Sequence, residues 1–252
     1  MYAEERQQEI LRRARSAGRV DVVTLAAELD VTTETIRRDL TALERAGVLR
    51  RVHGGAIPVE RLGFEPALAA RDEVMTAEKE RIAKAALAEL PEDGSVIIDA
   101  GTTTGRLVQA LPADRELTVI VNSPPLATVL ASRANLQVLV LGGRLRGKTL
   151  ATVDDWALRP LAHLNVDVAF MGTNGCSTAG LTTPDPAEAA IKRAMVKAAQ
   201  RSVLLADHTK FGNTYLATFA ELGEIDVVIT DAGLDPALAA DVAAAGPEVI
   251  RA

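Results

Sequence analysis

The chain has 252 residues, 48% of them hydrophobic and 25% charged, with a formal net charge of −6. This is long enough for two domains and apolar enough to exclude disorder as the main state. A single cysteine, Cys176, excludes an internal disulfide framework and a cysteine-based zinc site, and 3% aromatic content argues against a base-stacking platform for single strands.

The charged start MYAEERQQEI does not read as a signal peptide, and no apolar run approaches the roughly 20 residues needed to cross a bilayer, so a cytoplasmic protein is expected. Residues 3–17 read as a helix, with Ile10, Leu11, Ala14 and Ala17 on one stripe and Gly18 ending it. Asp21 is placed to cap a second helix carrying Leu25, Ala26 and Leu29. After the turn Asp30-Val31-Thr32 a third helix runs from Thr33 to Ala46, with Ile36, Leu40 and Leu43 inward and Gly47 as its C-cap. Val48–His53 reads as a short strand turning at Gly54-Gly55. Residues 1–56 hold ten arginines, no lysine and nine carboxylates, a net charge of +1, so the rest of the chain carries −7. A globally acidic protein does not coat nucleic acid with its whole surface, but a segment with concentrated arginines can grip it locally.

The outer face of the third helix offers that grip. Thr32, Thr33, Thr35 and Thr41 suit phosphate or close base-edge contacts, and Arg37 and Arg38 suit guanine or phosphate. Arg50, Arg51 and His53 on the hairpin form a wing against the backbone. The bland alternative is a small helical bundle with a solvated arginine face. Asp39 would be repelled by phosphates, so its expected role is to hold Arg38 or the cap geometry.

Residues 57–75, with Pro58, Gly63 and Pro66, read as connector. The domains are therefore expected at 1–57 and 76–252, with a linker over 58–75. From Thr76 a helix begins (Ile82, Ala85, Ala86, Leu90), and strands then alternate with helices. The strands are Ser95–Asp99, Leu117–Val121, Leu136–Leu141, Val166–Phe170, Val203–Ala206 and Val227–Thr230, and the helices lie near 103–111, 124–133, 154–162, 186–200 and 235–245. Such continuous apolar strands suit a mainly parallel α/β sheet covered on both faces.

Ligands of open α/β sheets bind beyond the carboxyl ends of the strands. There the first strand gives Asp99, Gly101, Thr102, Thr103 and Thr104 at a helix N-terminus, a cradle for phosphate. Later strand ends give Asn122 and Ser123, then Gly142, Gly143 and Arg144, then Gly172, then Asp207 and Lys210. Glu188 and Lys192 stand at i, i+4, as a surface ion pair or as site charges. Each tip alone is as readily a cap or a loop charge; together they predict one anionic small-molecule site.

Two sets of motifs carry a resemblance. ERQQEIL and TTETIRRDLTALERAGVLRRVHGGA closely resemble the winged helix-turn-helix of the DeoR-type bacterial transcription regulators. IIDAGTTTGRL, VIVNS, VLGGRLR, DVAFMGTNG, GLTT, IKRAMV, LLADHTKFG and IDVVITD look like the effector domain of the same family, so the resemblance covers nearly the whole chain. It implies a fold like ribose-5-phosphate isomerase and a repressor of a sugar-utilisation operon, modulated by a phosphorylated sugar. It further implies that Gly101 to Thr104 hold phosphate, that Asn122, Ser123, Gly142, Gly143, Asp207 and Lys210 line the sugar, and that Lys192 assists with charge. Where the family often shows a Val-Gly pair, this chain has Val153-Asp154-Asp155-Trp156. That segment and TTPDPAE resemble the fructose-operon subgroup, which implies fructose 1-phosphate. The expected partners are operator DNA and the sugar phosphate, with a homodimer or homotetramer and no membrane; no cofactor, metal or catalytic residue is expected. The competing reading is a sugar-phosphate isomerase-like enzyme, which needs a positioned carboxylate base, for which Asp99, Asp185, Glu188 and Asp207 are available.

Overall fold

The computed structural model describes residues 2–17, 19–52, 54–58, 65 and 67–252. Gly18, His53, Gly63 and Pro66, each given a role above, lie outside the described residues. The chain divides into two units, Met1–Pro66 and Ala67–Ala252.

In the first unit α1 (Ala3–Ala17), α2 (Val22–Glu28) and α3 (Thr33–Arg45) enclose a core of Ile10, Leu11, Ala14, Leu25, Ile36, Leu40 and Leu43. Asp21 caps α2 by accepting from Val23 N (2.9 Å) and Thr24 N (3.1 Å). Thr32 caps α3 by accepting from Thr35 N at 3.1 Å. At its far end Gly47 adopts φ +71°, Val48 N–H reaches Leu43 O (3.0 Å), and Gly47 N–H reaches Glu44 O (2.9 Å). That pairing satisfies carbonyls left open by the helix end, and a left-handed residue there favours glycine. The wing is a three-stranded sheet of order β1-β3-β2, with β1 at Val20–Asp21, β2 at Leu49–Val52 and β3 at Gly55–Pro58. Sequence patterning does not announce β1, because two residues carry no alternation.

The stretch expected as linker holds the last residue of β3, in the first unit, and a short helix of the second unit, α4 (Leu68–Asp72). Leu68 N–H donates to Lys148 O (2.8 Å), and Arg106 Nη2 donates to Asp72 Oδ1 (3.0 Å), so residues 68–72 are anchored on the second unit. The central sheet is parallel, seven strands of order β15-β14-β12-β9-β4-β5-β6. Its members are β4 (Gly94–Ile98), β5 (Leu117–Val121), β6 (Leu136–Val140), β9 (Val166–Gly172), β12 (Ala199–Leu205), β14 (Val227–Thr230) and β15 (Glu248–Arg251).

Alternation along the strands splits the core in two. Val96, Ile98, Val119, Val121, Phe170 and Ile229 face α5 (Thr76–Ala86), α6 (Thr102–Ala110) and α7 (Pro124–Leu130). Ile97, Ile120, Met171, Leu204 and Val228 face α8 (Asp155–Leu161), α9 (Pro186–Ala198) and α10 (Pro236–Ala244). Under the second face lie a hairpin of β7 (Arg144–Leu145) with β8 (Thr152–Val153), and an antiparallel sheet of order β10-β11-β13 (Gly175–Ser177, Gly180–Thr183, Ala217–Ala220). Cys176 sits in that small sheet, where burial pushes its thiol up to about 12, so it is protonated and inert at neutral pH.

Cover on both faces fails at one edge. On β6, the last strand of the sheet at this side, Leu139 and Val140 are 43% and 52% exposed.

Candidate functional site

Five neighbouring strand ends of the central sheet form one polar row. In sheet order they are Thr230 on β14, Asp207 after β12, Gly172 on β9, Asp99 after β4 and Asn122 after β5. Asp99, Asn122, Asp207 and Thr230 are fully buried. Each nevertheless keeps one atom without a hydrogen-bond partner: Asp99 Oδ1, Asn122 Nδ2, Asp207 Oδ2 and Thr230 Oγ1. Buried polar atoms left unpaired are costly, so a row of them at one edge is a candidate site for a polar ligand.

Hydrogen bonds fix the row. Asn122 Oδ1 accepts from Ala100 N (2.9 Å), tying the ends of β5 and β4 together. Asp99 Oδ2 accepts from Gly172 N (3.1 Å) and from Lys192 Nζ, which also donates to Gly172 O (3.1 Å). Lys192 also lies 5.4 Å from the Phe219 ring centroid. Asp207 Oδ1 accepts from Thr209 N (3.1 Å) and Thr209 Oγ1, while Lys210 Nζ stands 3.7 Å from Asp207 Oδ2 with its side chain 29% exposed. His208 donates its backbone N–H to Asp231 (2.8 Å) and sets Nδ1 2.7 Å from the other oxygen. Burial acts to raise the Asp231 carboxyl, but these bonds and that from Gly233 N outweigh it and hold the group below its usual range.

A helix, α6, starts at the glycine-threonine motif. Gly101 is the N-cap, and the first bond within the helix joins Gly105 N to Gly101 O (3.0 Å). The N–H groups of Thr102, Thr103 and Thr104 therefore precede the intrahelical ladder, at the positive end of the helix dipole. Thr104 Oγ1 donates to Gly101 O (3.2 Å), and Thr102 remains half-exposed. Ser123 caps α7 through its backbone and is buried.

Three expectations need correction. Glu188 and Lys192 do not pair with each other: Lys192 lies on the buried face of α9 and closes on Asp99, while Glu188 meets Arg146 and, at 3.4 Å, Thr149. Lys192 is thus committed to the floor of the site and is not a mobile charge for ligand. Asp39 does not hold Arg38. It lies on the buried side of α3 and accepts from Arg6 Nε (2.5 Å) and Gln7 Nε2 (3.0 Å) on α1. Arg144 stands away from the buried row, exposed on β7 and bonded to Asp154 at 2.6 Å. Gly143 beside it has φ +125° and lies so close to the Val153 carbonyl that a side chain would not fit; Gly142 meets nothing within 4 Å.

Sequence reading missed Lys79. It is buried on α5, and its Nζ donates to Arg71 O and Val74 O (2.6 Å), close enough to Asp207 and Lys210 to feel both charges. Burial pushes its ammonium down to about 8. The native protein therefore binds fewer protons here than the unfolded chain between about 8 and the ordinary 10.5, and stability contributed at this position rises with pH across that window. Lys79→Met is expected to flatten the rise; urea midpoints of both proteins from pH 7.5 to 10, parallel throughout, would refute the assignment.

On the first unit, Arg37, Arg38, Thr41 and Arg51 line one groove, which the first turn of α3 enters through Glu34. Thr41 Oγ1 donates to Arg37 O (2.8 Å) and accepts from Arg51 Nη1 (3.3 Å), fixing helix to wing. Thr32 and Thr35 bond each other at 2.9 Å at the start of α3; Thr33 opens the helix, and Arg50 is exposed on β2 outside the groove lining.

Comparison with known proteins follows this division. Residues 6–61 match the model of the DeoR-like helix-turn-helix domain, and residues 74–232 match that of the DeoR C-terminal sensor domain. The chain is 38% identical to the HTH-type transcriptional regulator GlpR of Haloferax volcanii, over 99% of this chain and 98% of the relative. It is 34% identical to the HTH-type transcriptional repressor GlcR of Bacillus subtilis, over 92% of this chain and 89% of that one. It is 30% identical to a putative aga operon transcriptional repressor of Escherichia coli O157:H7, over 98% and 93%. Among solved structures, ribose 5-phosphate isomerase A from Neisseria gonorrhoeae aligns with TM-score 0.39 and 18% identity over 56% of this chain and 54% of that one.

Proposed function

Because this chain belongs to the DeoR family of helix-turn-helix transcriptional regulators, we propose that its sensor unit takes a phosphorylated sugar and that the ligand sets how tightly the α3 unit holds the operator. The protein is a transcriptional regulator and not an enzyme. Its relatives include repressors, and repression of a sugar-utilisation operon is the activity expected of it. Among the described residues no helix is long and apolar enough to cross a membrane, and the proposed place of work is the cytoplasm, beside the chromosome.

The row of buried atoms without partners carries this reading. Asp99 Oδ1 and Asp207 Oδ2 accept only, so they call for hydroxyl donors; Asn122 Nδ2 donates and calls for a hydroxyl oxygen. A polyhydroxy ligand supplies both. Its phosphate is given the N–H groups of Thr102 to Thr104 and the ammonium of Lys210. Fructose 1-phosphate is the first ligand to try, on the TVDDW and TTPDPAE segments. An isomerase-like enzyme is not favoured, because the full-length relatives are transcriptional regulators.

One winged unit reads few base pairs, and two-fold pairing doubles the contact, so a homodimer or homotetramer is part of the proposal. The β6 edge supports it. A strand edge with Leu139 and Val140 open and no charged residue or proline invites pairing, while Glu248 and Arg251 bracket the opposite edge, β15. Ligand acts by binding the DNA-competent and DNA-released assemblies unequally; without differential affinity it shifts nothing.

The test is a gel shift on the promoter beside the protein's own gene, at stated salt, across a sugar-phosphate panel. Lys210→Ala should shift DNA as the native chain does, yet need roughly tenfold or more of the sugar phosphate to change that shift, as loss of a hydrogen bond to a charged group implies. An unchanged response removes Lys210 from the site, and no response of the native chain to any sugar phosphate ends the effector proposal.

A further inference from the structure

One carboxylate stands among the arginines of the DNA-reading groove. Glu34 is in the first turn of α3, two residues beyond the cap Thr32. Its side chain is 62% exposed, and it lies 3.7 Å from Arg37 and 3.7 Å from Arg38, three and four positions on. It shares one groove with Arg37, Arg38, Thr41, Arg45 and Arg51. Both ion pairs are loose and solvent-exposed, so they add little to stability and do not explain an acid here.

DNA decides what such an acid can touch. A carboxylate facing the backbone is repelled by phosphates, and it has no proton to offer the acceptors of guanine or thymine. In the major groove its match is an exocyclic amine, with cytosine N4 its usual partner. The residues of a reading helix that reach base edges are those near its N-terminus, where Glu34 stands. We propose that Glu34 is a base-reading residue, accepting a hydrogen bond from cytosine N4. It holds Arg37 and Arg38 loosely in the free protein and exchanges them for the base when they turn to guanine or phosphate. This rests on DNA binding through α3.

The full chain is tested by selection from a randomised duplex pool, with Glu34→Ala and Glu34→Gln alongside. The native protein should fix a cytosine at one position of the selected site, and changing that C·G pair to T·A should weaken binding about tenfold or more. Glu34→Ala should reduce that discrimination to below twofold while every other position and the salt dependence stay as they were. Glu34→Gln should move the preference at the same position toward adenine, which glutamine reads through N6 and N7. A change of base preference is not produced by a residue that merely restrains arginines. If Glu34→Ala keeps the cytosine and tightens all duplexes by a common factor, the proposal is overturned. If the native chain selects no sequence at all, the reading of α3 as the operator-contacting helix fails first and takes the proposal with it, an outcome distinct from loss at one position.

Discussion

Lys192→Met is expected to lower the melting temperature of the sensor unit by roughly 6–20 °C in calorimetry, the largest effect of any single change at the site. Lys192 and Asp99 are 3% and 0% exposed in their side chains and close on each other across the floor of the site. Taking away one member of such a pair leaves a charge with no solvent and no counterion, which costs about 3–5 kcal/mol, whereas replacing both is often nearly neutral. Asp99→Asn with Lys192→Met should therefore recover most of the loss. If the single and double variants melt together, the pair is not coupled and the row has another foundation. The same pair explains why Asp99 can serve a ligand. Oδ2 is bound by Lys192 and by Gly172 N, which fixes the carboxylate plane and leaves Oδ1 at the strand edge. A floor rigid before ligand arrives is what a selective site needs, because ordering it on binding would subtract from affinity.

Charged residues on apolar helix stripes were the signal that sequence reading passed over. Lys192 stands beside Ile191 and three before Met195, Asp39 between Ile36 and Leu43 beside Leu40, and Lys79 three before Ile82. A charge at such a position must find a buried partner. Spacing along the chain does not say which: the partner of Lys192 is 93 residues away and that of Asp39 is 33. Only folding brings them together, so the i, i+4 pairing of Glu188 with Lys192 was a fair local inference overruled by burial. What could be read was local in cause. Helix stripes, the caps Asp21, Thr32 and Gly47, and six apolar parallel strands follow from side chains within a few positions of one another. The strands that escaped, Val20–Asp21, Arg144–Leu145, Thr152–Val153, Gly175–Ser177, Gly180–Thr183, Ala217–Ala220 and Glu248–Arg251, have at most four residues each. Too short to show a period, they exist because tertiary partners pair them. The candidate site could be proposed from sequence because glycine and hydroxyl runs at strand ends carry their chemistry in their composition. The closure of Lys192 and the burial of Lys79 were not, since neither is visible without the partner.

Arg6→Met is expected to abolish DNA binding without touching DNA. Arg6 is buried, its side chain 10% exposed, and its Nε and Nη2 donate to Asp39 on the inner side of α3. Removing the guanidinium leaves the Asp39 carboxylate inside the core with Gln7 as its remaining hydrogen bond, again at about 3–5 kcal/mol. A unit of this size has only about 3–10 kcal/mol of stability to lose, because small domains bury too little surface to hold a reserve. The same loss that merely lowers the melting point of the larger sensor unit therefore unfolds much of the smaller one at 25 °C. Amide hydrogen exchange should show protection lost over residues 3–58 and kept over 76–252, with the sugar-phosphate thermal shift of the sensor unchanged. Asp39→Asn with Arg6→Met, which removes the buried charge, should bring protection and DNA binding back together. If protection stays while binding is lost, Arg6 acts at the DNA directly, and the brace between α1 and α3 is not what positions the reading helix.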